Sequence, residues 1–251
     1  MASFEIKKMT GHLPGARPRS QDLASPCSAC NVRHLTLCAA LDDREVADMA
    51  AIVSTLELGP GEPLFDEGEP AKHVFNVTAG AIKIYKLLPD GRRQMTGFLF
   101  PGDFLGLAND QIYAYSAEAV TFSTLCRFPR KQLEPLLERY PKMERRLLSM
   151  ASHELAVAQE QMLLLGRKTA REKVASFLLM LSRRAEQRGQ PRNPVSIPMS
   201  RNDIGDYLGL TTETVSRTFT QLKSNGVITL LNSGKVDLAD GSALQEMADG
   251  A

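Results

Sequence analysis

Ser200-Arg201-Asn202-Asp203-Ile204-Gly205-Asp206-Tyr207-Leu208-Gly209-Leu210-Thr211-Thr212-Glu213-Thr214-Val215-Ser216-Arg217-Thr218-Phe219-Thr220-Gln221-Leu222-Lys223 reads as two short helices joined by a tight turn. Ser200 with Asp203 three residues on has the form of a capping box, Asp replacing Glu, and opens a helix through Ile204, Tyr207 and Leu208. Gly209 ends that helix, Thr211 caps the next, and Asn225-Gly226 closes it. Two short helices across a glycine turn make a helix-turn-helix. On the second, Val215, Phe219 and Leu222 fall at i, i+4 and i+7 and face a core, while Glu213, Ser216 and Arg217 share another face. Arg217 can donate two hydrogen bonds to guanine, Glu213 can accept from cytosine, and Ser216 can read either kind of edge. Thr212 and Thr214 are placed for phosphates at the helix N-terminus. On an isolated helix Glu213 and Arg217 would be an ordinary surface ion pair. The context points elsewhere: Val227 to Leu231, the turn Asn232-Ser233-Gly234 and Val236 to Leu238 form a hairpin that completes a winged helix.

Upstream, Ala170, Val174, Phe177, Leu181 and Ala185 mark an amphipathic helix that stops near Gly189, followed by Pro191, Pro194 and Pro198. Gly166 separates it from a longer helix running from Pro141 to about Leu165. Leu148, Ala151, Leu155, Ala158, Met162 and Leu165 form one a/d seam there, as in a short coiled coil between two chains. The alternative is packing on the chain's own core, for which a second stripe, Leu147, Met150, Val157 and Leu164, is available. From Leu56 to Phe128 short apolar or alternating runs (Val74 to Val77, Ala81 to Leu87, Met95 to Leu99, Leu125 to Phe128) are bounded by turns such as Gly59-Pro60-Gly61 and Pro101-Gly102-Asp103. That spacing argues for a small antiparallel barrel or jelly roll, and so for an α+β chain. Residues 1–26 have no sustained hydrophobic period and read as a flexible lead-in.

The formal charge is only +1 over 251 residues, yet from Arg167 to Lys223 eleven Lys and Arg stand against five Asp and Glu. A locally basic segment on a neutral chain is the footprint of phosphate-backbone binding, or else a solvated surface. No run approaches the roughly 18–20 apolar residues of a membrane span, and the N-terminus lacks an apolar signal core, so the expectation is a cytoplasmic protein without membrane association. In that reducing compartment the four cysteines point to metal, redox chemistry or burial rather than disulfides. Cys27-x2-Cys30-x7-Cys38 gathers three thiols, and Cys126 lies on an expected strand beside Leu125 and Phe128, where an inert buried thiol is the plain alternative. Four thiolates can hold a [4Fe-4S] cluster or a structural zinc, and spacing alone does not separate them. An enzyme, such as a thiol oxidoreductase or a cupin-like metalloenzyme, finds no support. His12, His34, His73 and His153 are dispersed, and no Ser-His-Asp, H-E-x-x-H or P-loop pattern is present.

The run from Asp203 to Arg217 closely resembles the helix-turn-helix of the Crp/Fnr family, and the resemblance extends from about Cys27 to Leu238. Gly61-Glu62-Pro63-Leu64-Phe65, Gly80-Ala81-Ile82-Lys83 and Pro101-Gly102-Asp103-Phe104-Leu105-Gly106 resemble its cyclic-nucleotide-binding barrel. The implied domains are a flexible N-terminus with cluster-ligand cysteines (1–45), a sensor barrel (46–129), a dimerisation helix (130–166) and a winged helix-turn-helix (167–251). Glu213, Ser216 and Arg217 match the FNR-type E-x-x-S-R form, which implies a homodimer on a TTGAT-N4-ATCAA-like palindrome. Glu213 and Arg217 would read its G·C pair and Ser216 the neighbouring thymine. The cysteine pattern resembles FNR-type members from rhizobial and photosynthetic proteobacteria, and implies an oxygen-labile [4Fe-4S] cluster on Cys27, Cys30, Cys38 and Cys126 that favours the dimer. RNA polymerase is a further implied partner, with Leu88-Pro89-Asp90-Gly91-Arg92-Arg93 a candidate surface by position. Cyclic nucleotide is not expected: Leu107 and Tyr115-Ser116 replace the Glu and the Arg-Ser pair of nucleotide-binding members, and a cyclic phosphate loses its bidentate arginine. The alternative is a cluster-free regulator of the same fold answering another signal, such as nitric oxide or thiol redox, or abundance alone.

Overall fold

The computed structural model describes residues 27, 29–107 and 111–250, so the lead-in expected over residues 1–26 lies outside the described residues. A short 3-10 helix, Leu37–Ala40, and α1, Val46–Ile52, precede eight strands. These are β1 Ser54–Leu58, β2 Pro63–Phe65, β3 His73–Ala79, β4 Ile82–Leu87, β5 Arg93–Leu99, β6 Phe104–Leu105, β7 Ser116–Ala119 and β8 Ser123–Pro129. They form two antiparallel sheets, ordered β1-β8-β3-β6 and β2-β7-β4-β5, which is the jelly-roll arrangement read from the turn spacing. Strand alternation sorts the side chains. Phe75 and Val77 of β3 and Leu125 of β8 fill the space between the sheets. Val74, Cys126 and Phe128 point to the opposite face, where they pack with Leu37, Cys38 and Met49.

The segment 130–166 holds two helices rather than one: α2, Arg130–Arg139, and α3, Pro141–Arg167. Tyr140 between them is non-helical (φ −121°, ψ 78°), because the residue before a proline is driven out of the helical region. The two stripes of α3 have different fates. Leu147, Met150, Val157 and Leu164 are partly or fully buried on their own chain, whereas Leu148, Ala151, Leu155, Ala158 and Met162 face outward.

The rest comprises α4 Ala170–Gln187, β9 Val195–Ser196, α5 Arg201–Leu208, α6 Thr212–Ser224, β10 Thr229–Leu230, β11 Lys235–Asp237 and α7 Gly241–Asp249. The wing is a three-stranded sheet, β10-β11-β9, so the expected hairpin gains an edge from the proline-rich connection. Helix α7, absent from the sequence expectations, buries Leu244 and Ala248 and packs on α4. One core joins the halves: Met95, Phe98 and Phe100 of the barrel pack with Val174, Phe177, Ile204 and Tyr207.

Candidate functional site

The helix-turn-helix is built from local chemistry. Both halves of the Ser200–Asp203 capping box are made. Gly209 closes α5 in the left-handed region (φ 61°), and a Cβ at Gly205 would lie 2.7 Å from the Leu210 carbonyl, so the turn demands glycine at both positions. Thr211 accepts from the Thr214 amide to start α6. Val215, Phe219 and Leu222 are buried and lock α6 to the core. Arg201 lies over the Phe219 ring, 3.5 Å from its centroid, and ties the start of α5 to the same point.

This leaves Glu213, Ser216 and Arg217 together on an exposed face. Arg217 donates to Glu213 Oε1 at 2.5 Å, holding the two readers side by side. The Ser216 hydroxyl donates to the Thr212 carbonyl at 2.9 Å and therefore offers lone pairs outward. Thr212 donates to Asn202 Oδ1 at 3.1 Å, and the Thr214 hydroxyl lies 2.8 Å from that of Thr211, so both threonines already serve contacts within the motif.

Helix α5 is fastened to the barrel. Lys83 Nζ bridges Glu118 (2.9 Å) and Asp203 (3.1 Å), with Lys83 and Asp203 both buried. Burial works against charge at both ends of this pair. The Glu118 and Asp203 partners nevertheless hold Lys83 above its ordinary value, and Ser200 and Lys83 hold Asp203 below the usual carboxylate range. Gln94 donates to the Asp206 carbonyl and Gln161 to the Tyr207 carbonyl, each at 2.7 Å. Neither Lys83 nor these glutamines carries a sequence signal, since their partners lie on other elements distant in the chain or on main chain.

The thiols come together although Cys126 is distant in sequence. Cys27, Cys30, Cys38 and Cys126 line one small cavity of about 20 Å³, together with Arg33, Thr36, Asn76, Thr78, Val46 and Phe128. Asn76 lies opposite Cys126 in the β3–β8 register, and its buried Oδ1 has no hydrogen-bond partner. Burial, above all, pushes Cys38 up to about 11 and Cys126 up to about 12, so both are neutral thiols near pH 7. Among the described residues no three His, Cys, Asp or Glu side chains are grouped closely enough to hold a metal ion. Arg33, bonded to Asp43 and to the Leu41 carbonyl, pins the thiol segment. Arg146 of α3 donates to the Leu35 carbonyl at 2.9 Å, and Met143 and Leu147 share the core of Cys27 and Cys38. The site is thus packed against the first turns of α3. Farther along that helix Leu148, Leu155 and Met162 are 68%, 60% and 66% exposed, while Leu165 is half-buried against the DNA-binding half.

Where nucleotide-binding barrels place their phosphate, the Gly106 amide donates to the Tyr115 hydroxyl at 3.2 Å and is no longer free. The turn Leu88–Arg93 is exposed at Leu88, as is Leu87 at the end of β4. Among the described residues no helix is long and apolar enough to cross a membrane.

Residues 55–140 match the cyclic nucleotide-binding domain family and residues 172–247 the Crp-like helix-turn-helix domain family. Similar proteins include the nitrogen fixation regulation protein FixK of Bradyrhizobium diazoefficiens, 40% identical over 88% of this chain and 93% of its own. The transcriptional activator protein FnrL of Cereibacter sphaeroides is 39% identical over 88% and 91%. The chain belongs to the Crp/Fnr family. The structure of FixK2 from Bradyrhizobium japonicum superposes with a TM-score of 0.73 at 39% identity, covering 78% of this chain and 97% of that one. This Crp/Fnr member is therefore a DNA-binding transcription regulator of the dimeric Crp type and not an enzyme.

Proposed function

We propose that the protein is a cytoplasmic regulator of anaerobic and microaerobic gene expression whose DNA-binding dimer is governed by an oxygen-labile [4Fe-4S] cluster. Cys27, Cys30, Cys38 and Cys126 would hold it. The observation that carries this reading is the convergence of four thiols on one small cavity beside an unpartnered buried acceptor. The donor set fits, because four thiols and no histidine or carboxylate line the cavity. Its 20 Å³ is about the room of one water, so the Cys27–Cys38 segment must move outward to admit the group. When bound, the cluster supplies a redox centre that oxygen destroys.

The chain's own residues carry the signal onward. Arg146, Met143 and Leu147 couple the thiol segment to α3, and a shift there biases the exposed seam toward or away from a partner helix. On the palindrome TTGAT-N4-ATCAA, Arg217 takes the guanine, Glu213 the paired cytosine and Ser216 the adjacent thymine, with Thr212 and Thr214 near phosphates. RNA polymerase meets the Leu88–Arg93 turn. The engaged Gly106 amide and the missing arginine argue against cyclic nucleotide as the effector.

Anaerobic purification of the full chain with iron and sulfide analysis tests the reading. About four irons and four sulfides per chain are expected, with a brown colour that bleaches in air and is lost in Cys126→Ser. A colourless protein carrying zinc or no metal after anaerobic reconstitution would remove oxygen sensing and leave DNA binding standing.

A further inference from the structure

Between the barrel and the wing lies a cleft of about 480 Å³ that neither the DNA-reading face nor the thiol site uses. Barrel turns supply Phe100 and Thr121 to it, and the DNA-binding half supplies Arg188, Gln190, Ser196 and Lys235. Two cations and no carboxylate line it. Arg188 caps the end of α4, with its guanidinium 4.6 Å from the centroid of the Phe100 ring. The Arg188 Nε is buried without a hydrogen-bond partner, and among the described residues the side chain makes no ion pair.

The surroundings leave this cation short of compensation. Arg184 lies over the same ring at 5.4 Å and repels it. Asp103, which attracts Arg188, is already engaged, its Oδ2 accepting from the Phe100 amide (2.7 Å) and from Arg184 (2.6 Å). Burial, with the like charge of Arg184, pushes Arg188 down to about 10. The cavity on the other side of Arg188, of about 560 Å³ against α3, carries Asp103 and Glu154. Of the two, only the cleft lets an anion approach Arg188 without meeting a carboxylate. A guanidinium presents donors in a fork that matches phosphate oxygens, and an unpaired, desolvated charge is costly until such a partner arrives.

We infer that this cleft binds a phosphate group, free or carried on a small organic molecule, between Arg188 and Lys235. Its walls come from both halves of the chain, so an occupant bridges the barrel and the DNA-binding half.

Calorimetric titration of the DNA-free full chain with inorganic phosphate and with phenyl phosphate tests this. Saturable binding is expected, weakened about tenfold or more by Arg188→Gln and unchanged by Arg217→Ala on the DNA face. Tighter binding of phenyl phosphate identifies an organic phosphate as the occupant, and equal or weaker binding a free one. Arg188→Met separates binding from folding: without ligand it is expected to melt no lower than the wild type, because an uncompensated charge has been removed. No saturable binding, or binding that survives Arg188→Gln and disappears in Arg217→Ala, would overturn the assignment. So would a lower melting temperature for ligand-free Arg188→Met, which makes the guanidinium a structural prop on Phe100.

Discussion

Two ion pairs of similar chemistry involve adjacent helices, α5 and α6, in opposite surroundings. Lys83 and Asp203 join β4 to α5 with side chains 10% and 9% exposed. Arg217 and Glu213 span one turn of α6 with side chains 75% and 71% exposed. A buried pair is committed to its partner, since neither charge regains water unless the structure opens. An exposed pair adds little to folding, and its groups remain available to another molecule. By this difference α5 belongs to the barrel and α6 to the DNA.

Breaking the buried pair has the largest expected effect. Lys83→Met removes the cation between Glu118 and Asp203, leaving only Arg93 at 4.0 Å from Asp203, and should cost about 3–5 kcal/mol in urea unfolding at neutral pH. Asp203 has a depressed folded value, so its contribution is present above the ordinary Asp value of 3.8 and is lost as pH falls through the lower folded one. Stabilities of wild type and Lys83→Met should therefore converge in acid. A constant gap across that range would show that the pair is not the source of the cost.

The seam on α3 extends the comparison from charge to apolar surface. Leu155, at 60% exposure, waits for a partner as Arg217 does. Leu155→Glu should weaken the dimer by about 2 kcal/mol or more in sedimentation, with chain folding intact. Ala158→Asp should act in the same direction. A dimer that survives both changes would place the interface elsewhere. On α6 the prediction inverts that for Lys83: Arg217→Ala should leave stability within about 1 kcal/mol, yet cost about 1–3 kcal/mol of DNA affinity and erase preference at one base pair.

The same division decides what could be read in the sequence. The reading face lies within one helix, and the 3.6-residue period alone brings Glu213, Ser216 and Arg217 together. Caps at Ser200 and Thr211 and the break at Gly209 were equally local and equally legible. The α3 stripes were legible as stripes, and the fold then decided which one is covered. The thiol cavity needed the β3–β8 register, which sets Asn76 opposite Cys126, and no local pattern reports a register between strands some fifty residues apart. Lys83 looked like one more strand residue, because its charge is explained by Glu118 on a neighbouring strand and by Asp203, 120 positions on, and no local pattern reports either. Helix α7 carries an apolar stripe of its own, Ala243, Leu244, Met247 and Ala248 at helical spacing, so its face is a local signal and only its packing on α4 is a tertiary fact.

The smallest effect sharpens the comparison within α6 itself. The sequence placed Thr212 at the phosphates, yet its hydroxyl proton is given to Asn202 Oδ1, across to α5. A donor already used cannot serve a phosphate without breaking that bond, so in the DNA-free chain the Thr212 hydroxyl holds the two helices in register. Thr212→Val should cost about 0.5–1.5 kcal/mol of stability and weaken binding to matched and mismatched DNA by the same factor. Arg217→Ala, in contrast, should change the ratio between those sites. Competition binding against a set of single-base variants reads both quantities in one experiment. A Thr212→Val protein with altered base preference would mean that the hydroxyl leaves Asn202 on binding and reads the sequence, and the line between the helix that holds and the helix that reads would then run through Thr212.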